Sequence, residues 1–303
     1  MIHYEGCPFC QSQNIQQKLK AKDYTVSAES FMIYQCNNCS SAFTQDVPEV
    51  NAIGAYYASE NYISHSNTQK GFINRMYHLV RNRTLIAKRK MLQQYTELHK
   101  GNLLDIGCGT GAFLHTMQKA GWQITGLEPD ETARKNARQY FDIEPLPSQE
   151  IFTLPAHQYD AITMWHVLEH VHSLHEYIDQ IKNLLTAEGN LFVAVPNYTS
   201  YDAAHYQQFW AAYDVPRHLY HFSPAGMKAL MKQHGLEVIQ TKPMWFDSFY
   251  VSMLSEKYRS GQGNIMSAFI TGFVSNIKAL FNKERCSSVI YVIKKLPVTN
   301  ISK

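Results

Sequence analysis

Leu103-Leu104-Asp105-Ile106-Gly107-Cys108-Gly109-Thr110-Gly111-Ala112-Phe113-Leu114 is the stretch from which the rest of the chain is read. An apolar run of strand type ends on a carboxylate and breaks into three glycines at alternate positions. It then resumes in a helical pattern through Phe113, Leu114 and Met117. A strand, a tight turn and a helix N-terminus form the arrangement in which backbone N–H groups face a ligand. Glycine there permits positive φ and lets a cofactor lie against bare backbone.

Two nucleotide cofactors compete for this turn. Gly107-x-Gly109-x-x-Ala112 fits the loose fingerprint of dinucleotide enzymes. Three features favour S-adenosylmethionine (SAM). Asp105 sits two residues before the first glycine, where a carboxylate can receive the ammonium of a methionine moiety. The third glycine, Gly111, keeps the alternate spacing. Glu128 ends the next apolar strand, Ile124-Thr125-Gly126-Leu127, at about the ~20-residue distance where an acid takes ribose hydroxyls.

Two more motifs follow in order, Gly126-Leu127-Glu128-Pro129-Asp130 and Trp165-His166-Val167-Leu168-Glu169-His170-Val171. Together with the glycine turn they resemble the class I SAM-dependent methyltransferases, and the later run Asp214-Val215-Pro216-Arg217-His218-Leu219-Tyr220-His221-Phe222-Ser223 is similar to that of a subgroup acting on small molecules. The resemblance implies an α/β fold, a Rossmann-like seven-stranded methyltransferase sheet with a small N-terminal zinc ribbon. It also implies a cofactor site drawn from Asp105, Ile106, Gly107, Cys108, Gly109, Gly111, Glu128, Pro129, Gln149, Trp165 and His166. Many relatives carry an Asp against the adenine amino group, where this chain has Ser148-Gln149-Glu150.

Cys7-Pro8-Phe9-Cys10 and Cys36-Asn37-Asn38-Cys39 are separated by 25 residues. Two such knuckles can close a tetrahedral four-thiolate site suited to Zn²⁺, with a hairpin between them absorbing the spacing. Phe31-Met32-Ile33-Tyr34-Gln35 reads as the strand into the second knuckle. So short a module cannot build a core alone, so a metal would supply folding free energy. Cys108 and Cys286 are single thiols, and nothing suggests an extracellular disulfide scaffold.

The formal net charge is only +3, unevenly spread. Residues 1–48 carry −1, 49–69 −2, 70–100 +7, 101–227 −8 and 228–303 +7. A ribbon of charge −1 is a poor RNA clamp, because nucleic-acid affinity rests on cations that neutralise phosphates. The basic flanks suit an anionic substrate, a membrane surface or simply solvated helix faces. With no signal-peptide pattern and no apolar run long enough to span a bilayer, a cytoplasmic protein is expected.

The chain therefore divides into a ribbon (1–48), a connector and basic helical segment (49–100) and the methyltransferase domain (101–303). The tyrosine-rich connector includes Tyr62-Ile63-Ser64-His65. Arg75, Arg81, Arg83, Lys88, Arg89 and Lys90 decorate the helical segment, where they can cover the substrate pocket and meet a phosphate. Residues 198–222, rich in Tyr, His and Trp, are long for a βα connection and read as a lid.

Within the lid, His218 and His221 suit a general base, and Arg217 can hold an anion or pair with Asp214. His166 opens the segment after the fourth strand, beside the cofactor sulfonium, and completes the catalytic candidates. Ubiquinone-pathway O-methyltransferases resemble this stretch, and there the acidic and histidine positions hold a divalent metal. Here Glu169 and His170 match but the first position is His166 in place of Glu, so the reading preferred from sequence is that His166 packs beside the sulfonium and that Glu169 and His170 merely begin a helix. The insertion 245–286 is basic-flanked and apolar. It can lie in a lipid interface, pack over the site or form a dimer face.

The expected chemistry is O- or C-methylation of a small or carrier-linked metabolite, with SAM and Zn²⁺ as cofactors. Nucleic acid is disfavoured as a partner, a peripheral membrane contact is open, and oligomeric state is not readable. The alternatives are an RNA methyltransferase that uses the ribbon for RNA recognition and a non-catalytic SAM-binding protein.

Overall fold

The computed structural model describes residues 1–57 and 72–297, with backbone alone for 72–82. Tyr62, Ile63, Ser64 and His65 and the side chains of Arg75 and Arg81 lie outside the described residues. The first elements are β1 (Ile15–Lys22), β2 (Ser30–Cys36), β3 (Ala42–Thr44) and α1 (Phe72–Thr96). Next come β4 (Asn102–Ile106), α2 (Ala112–Lys119), β5 (Gln123–Leu127), α3 (Glu131–Phe141), β6 (Tyr159–Trp165), α4 (Leu174–Leu184) and β7 (Leu185–Pro196). The last are α5 (Tyr201–Tyr206), β8 (Tyr220–His221), α6 (Pro224–Gln233), β9 (Leu236–Pro243), α7 (Asp247–Ser260), α8 (Ile265–Phe281) and β10 (Ser288–Lys295).

Two sheets form, β1-β2-β3-β8 and β5-β4-β6-β7-β10-β9. In the larger, β4 pairs in parallel with both β5 and β6. Between α3 and β6 the chain adds one parallel bridge, Leu146 to Leu127, followed by a short 3-10 helix at Ser148–Phe152. Pro145 and Pro147 flank Leu146, and proline donates no ladder hydrogen bond, so pairing cannot extend along this edge. Six strands and this bridge fill the seven positions of the expected sheet.

Two compact units divide the chain: residues 1–57, 166–178 and 193–291 in one, and 72–165, 179–192 and 292–297 in the other. This division does not follow the linear boundaries 1–48, 49–100 and 101–303. The second unit carries the glycine turn and its core of Leu92, Leu103, Leu114, Met117, Trp122 and Phe192. Helix starts obey the expected chemistry. Asp130 accepts the Ala133 N–H at 2.6 Å to open α3, and Ser223 accepts the Gly226 N–H at 3.0 Å to open α6, where Pro224 costs no donor.

In the first unit, β1 and β2 make the hairpin expected between the cysteine knuckles, in register from Ile15↔Cys36 to Lys22↔Ser30. The sequence does not announce the next step. Ala42 and Phe43 of β3 pair with His221 and Tyr220 of β8, so the ribbon and the aromatic 198–222 segment share a sheet. They also share a core, in which Phe31, Ile33 and Ala42 pack with Tyr198, Tyr206, Trp210 and Tyr213. Each large apolar side chain buried this way contributes roughly 1.5–3 kcal/mol. The aromatic richness of the segment thus builds an interior.

Candidate active site

The glycine turn has the backbone its sequence demands. Gly107, Gly109 and Gly111 sit at φ of 71°, 55° and 79°, the left-handed region where a Cβ is strained. A Cβ on Gly111 would also stand 3.2 Å from the Ala137 Cβ of α3. Glu128 braces the turn: one carboxylate oxygen accepts the Gly109 N–H at 2.8 Å and the other the Asp130 N–H at 2.9 Å. Arg134 donates to the Glu128 and Pro129 carbonyls at 2.6 and 2.8 Å, fixing the strand end behind it.

Asp105 is fully buried at the carboxyl end of β4 and accepts the Thr163 hydroxyl at 2.5 Å. Burial pushes its carboxyl up to about 7, against the pull of Thr163 and Lys88. A carboxyl held near neutrality in a dry site is primed for a cationic partner. Trp165, at the end of β6, packs edge-on to Phe113, and the Lys88 ammonium lies 4.0 Å over its ring. Ile106 and Cys108 are buried, and Gln149 is exposed on the 3-10 helix after the Leu146 bridge. All the expected cofactor residues except His166 fall in one unit.

The four cysteines converge. Their sulfurs lie within 4.8 Å of one another, with Cys7–Cys39 at 3.6 Å and Cys10–Cys36 at 3.7 Å, and none is disulfide-bonded. Tetrahedral Zn–S bonds of about 2.3 Å require sulfur separations of about 3.8 Å, so the donor set fits that ion.

A second cluster joins Glu169, His170 and His218, one ligand atom from each lying within 4.8 Å of the others. Glu169 is fully buried, and neither of its oxygens has a hydrogen-bond partner among the described residues. The His166 Nδ1 stands off at 3.5 Å. Burial favours a neutral Glu169, but His166, His218 and His170 outweigh it and hold the carboxyl below its ordinary range. The Nδ1 of His218 donates to the Ala212 carbonyl at 2.8 Å, and that of His170 to the Arg217 carbonyl at 2.9 Å. In the neutral tautomer that these carbonyls select, Nε2 carries the lone pair, as second-shell carbonyls arrange for ligating histidines. Burial, then His218, lowers His170 to about 4.

The other catalytic candidates stand differently. His166 lies between Asp247, at 3.1 Å, and Glu169. Burial opposes its charge, but the two carboxylates raise it to about 10, so it is a donor without a free lone pair rather than a base. His221 is buried with Nε2 3.0 Å from the Thr44 hydroxyl, which itself donates to the His218 carbonyl at 2.7 Å. Its Nε2 must then donate to Thr44, an architectural role in the β3–β8 pairing. Burial keeps it neutral, with His218 and Lys18 adding to the effect.

Of the two readings of Arg217, the pairing one holds. It is 1% exposed and donates to Asp214 at 2.6 and 3.0 Å, to Asp23 at 3.0 Å and to the Tyr56 carbonyl at 2.8 Å. Asp23 was not apparent from the sequence. It caps the β1–β2 turn by accepting the backbone N–H groups of Thr25, Val26 and Ser27, and only the three-dimensional pairing brings Arg217 to it. Asp247, the partner of His166, was likewise unannounced.

A family model described as a methyltransferase domain matches residues 77–241, more than half of the chain. The chain belongs to that family, which agrees with the SAM-type turn. Among curated relatives, the ubiquinone biosynthesis O-methyltransferase of Glaesserella parasuis is 34% identical over 110 residues, 32% of this chain and 46% of that one. The mitochondrial ubiquinone biosynthesis O-methyltransferase of Bos taurus is 24% identical over 163 residues, 48% of this chain and 44% of that one. The chain thus spans about half the length, or less, of the curated relatives it matches. A solved structure provisionally assigned as a sarcosine dimethylglycine methyltransferase, from Galdieria sulphuraria, shares the fold. Its TM-score is 0.51 at 16% identity, covering 74% of this chain and 88% of that one.

Proposed function

We propose that the protein transfers the methyl group of SAM to a hydroxyl of a small or carrier-linked metabolite. The observation that carries this reading is the Glu128 brace on an alternate-glycine turn that follows the buried Asp105. In this reading Asp105 takes the methionine ammonium. Glu128, at the end of β5, takes ribose hydroxyls. The turn amides, Pro129, Trp165 and Gln149 line the remainder. Cys7, Cys10, Cys36 and Cys39 hold a structural Zn²⁺.

On the acceptor side, the buried carboxylate of Glu169, which among the described residues has no close hydrogen bond and only the His166 ring at 3.5 Å, supports a divalent cation held with His170 and His218. Two imidazoles and a carboxylate are a common donor set for such ions. Glu169 and His170 follow the carboxyl end of β6, the edge where open α/β sheets take ligands. A cation bound there would act as a Lewis acid on the acceptor hydroxyl. His218 then serves as a ligand in place of the base expected from its sequence context. The protein's own part is to orient SAM and the acceptor for in-line transfer.

The test is transfer of labelled methyl from SAM into a cell extract separated into RNA, lipid and small soluble fractions. Label in the soluble or lipid fraction is expected, lost on chelation and restored by added Mn²⁺. Label in RNA would overturn the substrate reading. SAM binding with no label in any fraction would support a non-catalytic SAM-binding protein.

A further inference from the structure

The insertion 245–286 is built with its polarity reversed. Helices α7 and α8 pack against each other through small or polar residues. Ala268, Thr271, Gly272, Ser275 and Ala279 of α8 are buried, and a Cβ on Gly272 would come 3.0 Å from the Phe249 Cα. The carboxylates also point inward. Glu256 accepts the Ser267 hydroxyl at 2.5 Å and pairs with Arg259, and Asp202 accepts the Ser275 hydroxyl at 2.7 Å and the Trp210 indole N–H at 2.8 Å.

The large apolar side chains face out. Met266, Phe269, Ile270, Phe273, Ile277 and Leu280 form one continuous exposed stripe at helical spacing, Met266 and Leu280 each 69% exposed. A soluble helix hides such a stripe and shows its small polar residues to water. Close small-residue packing inside with large apolar residues outside is the pattern of helices whose surroundings are hydrocarbon. An exposed apolar face of this extent marks a contact surface.

Charge selects the occupant. From Ile265 to Lys283 there is no acidic residue. The stripe is bordered by exposed cations, Lys257 near the end of α7 and Lys278, Lys283 and Arg285 at and just beyond the end of α8, while Arg259 is paired with Glu256 and the intervening acid, Glu284, with Lys228. A self-complementary dimer face would oppose these cations to one another, whereas an anionic bilayer surface neutralises them. Among the described residues no helix is long and apolar enough to cross a membrane.

We propose that the α7–α8 hairpin docks in the plane of an anionic lipid surface, with the α8 stripe entering the headgroup–acyl boundary and the flanking cations engaging lipid phosphates. This goes beyond the methyl-transfer reading and does not depend on it.

The experiment is co-sedimentation of the full chain with vesicles of phosphatidylcholine, with and without phosphatidylglycerol, alongside sedimentation equilibrium without lipid. The protein is expected to bind the anionic vesicles preferentially. The variant Met266→Gln/Ile270→Gln/Phe273→Gln should bind at least about tenfold less, since several buried side chains are lost. Because all three positions are exposed, its thermal melt should match the parent's. Lys257→Gln/Lys283→Gln should weaken binding to the anionic vesicles by about fivefold per charge, with little change on neutral ones. Absence of binding to either vesicle type overturns the proposal. So does a dimer that the apolar triple variant dissociates while no vesicle is bound, which would make the stripe a self-interface.

Discussion

Asp105 combines a buried carboxyl, a raised pKa of about 7 and one hydroxyl partner, Thr163. Only the ionised form attracts the methionine ammonium assigned to it. SAM affinity should therefore rise by up to about tenfold per pH unit as pH climbs towards 7, then level off. Calorimetric titration between about pH 5 and 8 measures this, and Asp105→Asn should bind weakly with a flat profile. A sloped profile in Asp105→Asn would assign the titration to another group. Arg217 poses a different residue-scale question, because its donors satisfy Asp23, Asp214 and the Tyr56 carbonyl. Replacing it with Met leaves Asp23 buried without its counter-charge, a change that costs about 3–5 kcal/mol. A denaturant midpoint for Arg217→Met equal to that of the parent would instead make the pair incidental.

At the scale of elements, the ribbon's third strand holds β8 by two residue pairs, Ala42↔His221 and Phe43↔Tyr220. The knuckle Cys36-x-x-Cys39 lies just upstream of β3 and positions it. Removing the Zn²⁺ proposed for the knuckles with a strong chelator should thus loosen residues far along the chain. Amide exchange at Tyr220 and His221 should accelerate together with that of β1–β3, while β4 and β6 keep their protection. Acceleration confined to residues 1–48 would show that the shared sheet does not transmit the loss.

The same elements explain what the sequence made legible. The glycine turn, Glu128, the β6 strand and the cysteine knuckles are local patterns, in which φ requirements, periodicity or ligand spacing lie within a few residues. Asp23 with Arg217 is joined by no such pattern, being 194 residues apart in the chain. The two-residue β8 has no period to read. The convergence of Glu169, His170 and His218 needs the 198–222 segment to fold back, which long-range pairing alone decides. Its aromatics read as a lid because composition does not distinguish a binding loop from a core.

Over the whole molecule, the two compact units each carry a buried carboxyl, and the two are shifted in opposite directions. Asp105, in one, has its pKa raised from 3.8 to about 7 by burial. In the cofactor-free protein its ionisation opposes folding above about pH 7, and that cost is relieved as pH falls towards 4. Asp23, in the other, is lowered to about 2, because the Arg217 hydrogen bond and the amides of Ser27 and Thr25 outweigh burial. Its contribution is complete above the unfolded value of 3.8 and is lost as pH falls through about 2. That loss amounts to roughly 2 kcal/mol. Exchange protection factors, which divide out the intrinsic pH dependence of amide exchange, should then separate the units. Protection in β4 and β6 should rise between about pH 7 and 5, while the β1-β2-β3-β8 sheet weakens progressively below about pH 6.5, where the unfolded chain protonates the His170 and His221 that the fold keeps neutral, and takes a further step below about pH 4 from Asp23. Asp23→Asn should remove the step below about pH 4 from that sheet and leave its histidine-linked decline and the β4–β6 rise untouched. A common midpoint for both units, unchanged in Asp23→Asn, would mean that the chain opens as one cooperative block and that neither carboxyl sets its acid response.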